Sequence, residues 1–432
     1  TFGTESDTEV ILAAFRHWGT GCFARFNGMW ALCIWDKQER LLTFSRDRFG
    51  IKPLYIAHRQ DRWLLGSELP ALRHLDPLPR LPDLLQATDY LIHGFTDHDN
   101  NTAIEGYQRV PPATFGTLKA GARQPTYQPF YNLDAEHDEA RTQRIISDTT
   151  GRETSALAEE LRDAIVDAVK LRMRSDVPVG TCLSGGLDSG SIVCATAQVA
   201  EEARSSNARH AFSAMMPQFD ETMYINAVMQ QTGVKLTKAD LTAASVRETA
   251  EQVLTFHDEP IHTLTPIAGS LVFKAAREQG VTVLLNGQGA DELLAGYGSY
   301  VSAFLHTTVH QQGPLDAVRQ WRHEGVRRGD AFTLARQLAG GPGAAISKVL
   351  RGFRGQRQSL VAPEVVAGTK GRLWADRKRI YIGLNEALDE SITGYPLPLY
   401  LRVEDRNAMS WSREARLPYL DPRIVRLCRT AP

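Results

Sequence analysis

The sequence predicts two units in series: an α+β domain built on antiparallel strands, then an α/β domain with a doubly wound parallel sheet. Three observations carry that expectation. A chain of 432 residues with 43% hydrophobic content exceeds what one ordinary core accommodates and is enough for two. Its first third alternates short β-rich stretches with charged or Gly/Pro turns, the pattern of antiparallel strands. After Leu157 the rhythm becomes strands separated by helical stretches, the pattern of βαβ units.

Taken in order, Val10, Ile11, Ala14, Phe15 and Trp18 recur at helical spacing behind the N-cap candidates Ser6 and Asp7, so residues 8–18 are expected to be a helix. Residues 29–35, 41–45, 54–57 and 63–67 are expected to be strands. Pro77, Pro79, Pro82 and the Val110-Pro-Pro112 turn interrupt this unit, and residues 134–155 are polar with little apolar periodicity. The expected boundaries are therefore a first domain over 1–133, a linker over 134–155 and a second domain over 156–432. Within the second domain, helices are expected at 156–173, 189–200 and 222–231, and strands at 177–183, 211–215 and 281–285. Loops leaving the carboxyl ends of such strands line the ligand crevice. Residues 299–392 read as an Arg-rich, mostly helical insertion broken by Gly340-Gly-Pro-Gly343.

Charge narrows the partners. With 49 Lys plus Arg against 50 Asp plus Glu, the net charge of −1 gives no sequence-independent attraction to nucleic acid or to a membrane surface, so small or neutral partners are favoured. The five cysteines, Cys22, Cys33, Cys182, Cys194 and Cys428, are scattered and never spaced as metal ligands, which suits buried thiols in a reducing compartment. No apolar run approaches the ~20 residues needed to span a bilayer, so the expected location is cytoplasmic.

The chemistry is concentrated at two strand exits. Ser184-Gly-Gly-Leu-Asp-Ser189 follows an apolar strand and opens a helix, which aims backbone N–H groups at a helix N-terminus and so suits a phosphate. The glycines allow close approach, Ser184 and Ser189 add hydroxyls, and Asp188 offers an oxygen to Mg²⁺. No Gly-Lys-Ser/Thr follows, so this is not a Walker A loop. A bland strand-to-helix turn accounts for the glycines alone. The second exit, Asn286-Gly-Gln-Gly-Ala-Asp-Glu-Leu-Leu-Ala-Gly-Tyr297, lacks the third glycine of a dinucleotide fingerprint and carries Asp291-Glu292 instead. Asp291 set beside Asp188 would form a Mg²⁺ site for ATP, whereas two acids stabilising a helix dipole are the plainer alternative.

The first string resembles the pyrophosphate loop of N-type ATP pyrophosphatases, which activate carboxylates or carbonyls as adenylates. The second resembles the Gly-Glu-Gly-x-Asp-Glu motif of asparagine synthetases. His257-Asp-Glu-Pro260, Asp405-Arg-Asn-Ala-Met409 and Glu414-Ala-Arg-Leu-Pro-Tyr-Leu-Asp421 are similar to further motifs of that family, in the same order. Ser6-Asp7-Thr8-Glu9, Asn27-Gly-Met-Trp-Ala31, Ser45-Arg-Asp-Arg-Phe-Gly-Ile-Lys-Pro-Leu-Tyr55 and Gly66-Ser-Glu-Leu69 are similar to consecutive stretches of its glutaminase domain. The resemblance implies an Ntn-type class II glutaminase domain ahead of an ATP-pyrophosphatase domain. It places adenosine against Leu183, Ala214, Asn286 and Gly287. It also assigns the phosphates to Ser184, Gly185, Gly186, Leu187, Asp188 and Ser189, and Mg²⁺ to Asp188 and Asp291. Gln288 and Glu414 would face the adenylate or the amine, and Asp7 would hold the α-amino group of glutamine. The resemblance further implies that the N-terminal nucleophilic Cys lies upstream of this chain and a synthetase lysine beyond its end. Thr1 is then the edge of a fragment, and residues 1–432 by themselves would not hydrolyse glutamine.

One position departs from the pattern: Gln288 stands where the family usually has Glu, which keeps size and hydrogen bonding but removes the charge and the ability to accept a proton. The leading expectation is ATP-dependent conversion of aspartate and glutamine to asparagine and glutamate through an acyl-adenylate, with AMP and pyrophosphate released. The alternatives are a β-lactam or peptide-cyclising type of amide synthetase, and a non-catalytic nucleotide-binding paralogue. Expected partners are ATP, aspartate or another carboxylate and glutamine or ammonia, and a homodimer is compatible with such a chain.

Overall fold

Capping starts the first helix where the sequence places it. Ser6 accepts a hydrogen bond from Thr8 N, and α1 (Asp7–Trp18) runs from there to the turn at Gly19. The computed structural model describes residues 2–76, 81–203, 210–214, 221–239, 241–311, 313, 361–369 and 383–431. Thr1, Pro77, Pro79, Met215, Gly340-Gly-Pro-Gly343 and most of the 299–392 insertion lie outside the described residues.

The antiparallel unit holds β1 (Ala31–Asp36), β2 (Leu41–Arg46), β3 (Tyr55–Arg59), β4 (Arg62–Gly66), α2 (Leu69–His74), α3 (Leu84–His93), β5 (Tyr107–Arg109), β6 (Thr114–Lys119) and β7 (Thr126–Pro129). These strands form two antiparallel sheets, β1-β2-β6-β7 and β4-β3-β5. Phe44, Leu54, Ile56, Val110 and Leu118, all buried, form a core of this unit. Full burial of a side chain such as Phe44 stabilises by about 1.5–3 kcal/mol. The connection from β2 to β3 is rigid because the buried Asp47 carboxylate accepts from the N–H groups of Trp30, Phe49, Ile51 and Lys52 at 2.9–3.2 Å.

The stretch expected as a linker, residues 134–155, carries α4 (Glu139–Ser147), capped by Asp138 accepting from Arg141 N at 2.9 Å. Its Thr142 and Ile145 are buried, and Thr142 Oγ1 donates to Thr430 O at 2.8 Å. A single turn of apolar contact is too short to leave a periodic signal, so caps and one buried isoleucine specify this helix.

The parallel unit follows in chain order: α5 (Arg152–Arg172), β8 (Val179–Cys182), α6 (Leu187–Glu202), β9 (His210–Ala214), α7 (Thr222–Thr232), β10 (Lys235–Ala239), α8 (Ala243–His257), α9 (Thr265–Glu278), β11 (Val283–Leu285), α10 (Ala290–Leu294), α11 (Val301–Gln311), α12 (Pro363–Thr369), α13 (Leu384–Thr393), α14 (Leu397–Ser410), β12 (Glu414–Arg416) and α15 (Pro422–Thr430). The five strands are all parallel in the order β10-β9-β8-β11-β12. Over the described residues the expected strands and helices of both units are present, and β10, β12, α8, α9 and α14 add to them. β11 is buried at every residue, as a strand covered on both faces must be. Among the described residues, no helix is long and apolar enough to cross a membrane.

Phe49 and Ile51 of the antiparallel unit belong to the same core cluster as Leu397, Leu401 and Leu285 of the parallel unit. Beside that apolar contact lies a buried quartet of ions. Arg109 reaches Glu259 at 2.5 and 2.6 Å and Asp97 at 2.9 Å, and Arg402 reaches Asp97 at 2.8 and 2.9 Å. Burial alone would raise the Asp97 carboxyl, but the guanidiniums of Arg109 and Arg402 overcome it and hold the group well below the usual carboxylate range. Truncating one buried partner leaves another uncompensated, so Arg402→Met is expected to lower stability by about 3–5 kcal/mol, read from the urea midpoint at pH 7. Because the Asp97 carboxyl is depressed in the folded state, its stabilisation is present above its unfolded value of about 4 and is lost as pH falls below that. The gap between wild type and Arg402→Met should therefore narrow on acidification below about pH 4.

Candidate active site

The chain leaves β8 toward β9 and β10 on one side and returns through β11 on the other, which makes the carboxyl ends of β8 and β11 the switch point of the sheet. The loop after β8 is fastened from within. Leu183 N donates to Phe212 O at 2.8 Å, Ser184 N donates to Ser189 Oγ at 2.9 Å, the two serine hydroxyls lie 2.9 Å apart, and Gly186 N donates to Ser184 Oγ at 3.3 Å. Gly190 N, bonded to Gly186 O, begins the helical ladder, so the first-turn N–H groups of α6 are directed out of the loop, as anion binding requires. Leu187, the first residue of that helix, is 91% exposed, unlike any apolar side chain with a core to join. Ala214 ends β9 opposite Ala239 in β10.

The loop after β11 touches this one. A Cβ at Gly287 would come within 3.1 Å of Asp188 Cβ and 3.2 Å of Ser189 N, so the two exits are packed closely and a side chain at 287 would require its neighbours to give by a few tenths of an ångström. Asp188 and Asp291 are consequently near enough to interact. Burial raises the Asp188 carboxyl and the charge of Asp291 raises it further, while burial also raises Asp291. Glu292, adjacent to Asp291, is fully buried with Oε1 accepting from Tyr297 Oη at 2.9 Å and Oε2 without a partner, and burial pushes it up to about 7. A site with this much uncompensated negative charge fits a cation. Among the described residues no group of three or more His, Cys, Asp and Glu side chains gathers as a metal cage. Two carboxylates open to phosphate oxygens suit Mg²⁺, which prefers one or two carboxylates plus ligand phosphates to an all-protein site.

Of the two residues expected to face the adenylate, Gln288 is half-buried in the loop after β11. Glu414 is elsewhere: it opens β12 opposite Val283, at the amino end of the strands, and its Oε1 accepts from Arg416 Nε at 2.7 Å. Glu414 pairs with Val283, two residues before the end of β11 at Leu285, whereas Gln288 lies three residues beyond that end, so the strand register sets the two apart. A different carboxylate stands at the loop after β11. Glu404 of α14 accepts from Asn286 Nδ2 at 2.5 Å, and burial pushes its carboxyl up to about 7, with the Asn286 bond opposing the shift and the charge of Asp405 adding to it. Only its place one residue ahead of the Asp405 motif could have pointed to it in the sequence.

The next two residues of α14 face the antiparallel unit. Asp405 pairs with Lys52 at 3.3 Å, and Arg406 pairs with Glu68 at 3.3 Å. They close one wall of a cavity of about 470 Å³ that is also lined by Asp7, Met29, Trp30 and Ser67. Asp7 is therefore placed on a cavity whose far wall comes from the parallel unit. The His257-Asp-Glu-Pro260 motif serves the junction: His257 shares a hydrogen bond with Asn407 Oδ1 at 2.9 Å, Asp258 pairs with Arg73 at 3.1 Å, and Glu259 belongs to the ion quartet. Burial and nearby Arg402 lower His257 to about 4, so its ring is neutral.

Residues 160–432 match the asparagine synthase family, and residues 1–131 match the glutamine amidotransferase domain. The chain is 31% identical over 300 residues to asparagine synthetase (glutamine-hydrolyzing) 1 of Bacillus subtilis (strain 168), covering 69% of this chain and 44% of that protein. A relative from Mycobacterium tuberculosis (strain ATCC 25618 / H37Rv) that also carries an asparagine synthetase name is 29% identical over 458 aligned positions, covering 100% of this chain and 65% of that protein. Amidase chry2 of Gibberella zeae is 24% identical over 339 residues, covering 74% of this chain and 48% of that protein. The chain thus spans about half to two thirds of the length of these relatives. With the strand exits arranged as described and the family match running over the greater part of its length, the chain belongs to the asparagine synthase family.

Proposed function

We propose that the intact protein makes an amide from a carboxylate in two ATP-dependent steps, with aspartate as the carboxylate substrate and glutamine as the source of ammonia. The observation that carries this reading is the contact between two strand exits bearing Asp188 and Asp291, with the buried Glu404 bonded to Asn286 of the second. In the first step a carboxylate oxygen bonds to the α-phosphorus of ATP and pyrophosphate leaves. In the second, ammonia bonds to the acyl carbon, one of its protons is taken up, and AMP leaves. Leu183, Ala214, Asn286 and Gly287 line the adenosine, and the loop N–H groups with the Ser184 and Ser189 hydroxyls hold the phosphate oxygens. Asp188 and Asp291 would hold Mg²⁺, which supplies neutralising charge for the departing pyrophosphate.

Proton uptake falls to Glu404. Gln288 cannot accept a proton, and its amide is left to orient the reacting groups by hydrogen bonding. A carboxylate with a pKa near 7 is matched to taking a proton at neutral pH. Glu414, held by Arg416 at the other end of its strand, has no part in this reading. The antiparallel unit is read as an Ntn-type glutaminase with Asp7 as the anchor for the glutamine ammonium, and the wall shared with Asp405 and Arg406 supports delivery of ammonia along α14. Gln288 and the amidase-named relative favour a second reading of the later step alone, in which an amine of the same substrate replaces ammonia and closes a ring.

Asp188→Asn and Asp291→Asn, in full-length protein, are each expected to lower ATP–pyrophosphate exchange by about 100-fold or more. Exchange assayed against a panel of carboxylates decides the acceptor, and no exchange with aspartate removes aspartate from the reading. Because Glu404 is protonated below about 7 and must be ionised to accept a proton, the ammonia-dependent kcat/KM, expressed per unprotonated ammonia, should rise with pH through about 7. Glu404→Gln should abolish that rise and lower the rate by about 100-fold, with exchange largely retained. Lys52→Met should reduce the amide formed per glutamate released by about threefold or more while the ammonia-dependent rate holds, read by product stoichiometry.

A further inference from the structure

One contact in the phosphate loop runs against the loop's own chemistry. Gly185 N donates to Glu221 Oε2 at 2.9 Å, so a carboxylate from the start of α7 occupies one backbone donor of the loop read as the phosphate site. The other side-chain fastenings of residues 184–189 are the Ser184 and Ser189 hydroxyls, which can also donate to phosphate. A carboxylate is an acceptor only and repels a phosphate oxygen brought to the same N–H.

The contact is built into the packing. Glu221 is the N-cap residue of α7, yet its side chain makes no capping bond to its own helix. Ile225, one turn further on and 1% exposed, belongs to the same core cluster as Leu183 and Val193, which fixes this face of α7 against the strand end that feeds the loop. A Cβ at Gly185 would lie 2.4 Å from Glu221 Cβ, so glycine at 185 is required for the acid to sit this close. Glu221 is exposed and bears on no core, which leaves its carboxylate free to swing out into solvent.

We propose that Glu221 is an internal occupant of the pyrophosphate subsite, a carboxylate that holds the Gly185 N–H until the polyphosphate of an incoming nucleotide displaces it. The inference rests on the reading of residues 184–189 as the pyrophosphate loop. Every phosphate-bearing ligand must then bind in competition with this side chain. The effect is on the affinity for nucleotide and for released pyrophosphate, and the chemical step is untouched. An acid here weakens retention of pyrophosphate after the first step, which favours turnover in the forward direction.

The test compares wild type with Glu221→Gln, which removes the charge at constant size, and Glu221→Ala, which also removes the acceptor, all in the full-length protein. Binding of magnesium pyrophosphate is measured by calorimetry, and ATP–pyrophosphate exchange is followed with the best carboxylate of the panel. Both variants are expected to bind magnesium pyrophosphate roughly three- to tenfold more tightly and to lower the KM for magnesium ATP by a similar factor, with kcat within about twofold of wild type. Unchanged or weaker binding in both variants overturns the proposal, and weaker binding together with a fall in kcat makes Glu221 a ligand-holding residue instead. A protein that binds magnesium pyrophosphate more tightly as Glu221→Gln but shows no exchange with any carboxylate retains this inference and loses the amide-synthesis reading. A wild type that does not bind magnesium pyrophosphate loses both.

Discussion

The quartet of Asp97, Arg109, Glu259 and Arg402 is the interaction on which the arrangement of the two units depends. Four charges taken out of water are costly unless each finds its partners, and here the partners are shared across the two units. The antiparallel unit contributes Asp97 and Arg109, which pair at 2.9 Å, and the parallel unit Glu259 and Arg402; the pairs Arg109–Glu259 and Arg402–Asp97 cross between the units and join the four into one network. Hydrophobic contact through Phe49 and Ile51 adds non-directional stabilisation, whereas the charged hydrogen bonds from Arg109 to Glu259 and from Arg402 to Asp97 are directional and specify one relative orientation.

That orientation matters because of what α14 carries. Arg402, Glu404, Asp405 and Arg406 point in turn to the ion quartet, the loop after β11 and the wall of the Asp7 cavity. A small rotation of this helix would move the proposed proton acceptor and the cavity wall together. The helix is buried on nearly every side from Leu397 to Ala408, so its polar residues are held in place by partners and have no solvent to relax into.

The exit at Ser184–Ser189 is legible in the sequence because strand, glycines, hydroxyls and helix are contiguous, and local sequence dictates local geometry there. The antiparallel strands are legible from their turns, although their division into two sheets depends on pairings between distant residues such as Tyr55 with Arg109. α14 is opaque because the run Arg402–Asn407 looks like an exposed polar face, and only tertiary partners make it buried. The same blindness hides Glu404, an acid whose importance comes from a neighbour 118 positions away. Glu414 shows the converse: a carboxylate in a recognisable motif whose strand register, invisible in sequence, carries it away from the loops.

The burial of α14 between the two units also bears on how such proteins can be recombined. A glutaminase half and a synthetase half joined from different relatives would meet along this helix, and residues 402–409 would have to match partners on both sides at once. Lys52, Glu68 and Asp97 would therefore have to travel with the helix they face, and the functional boundary between modules runs through α14 in space while the chain boundary lies far upstream of it. Lineages that exchanged only contiguous segments would inherit mismatched ions at the seam, which ties the divergence of one half to that of the other.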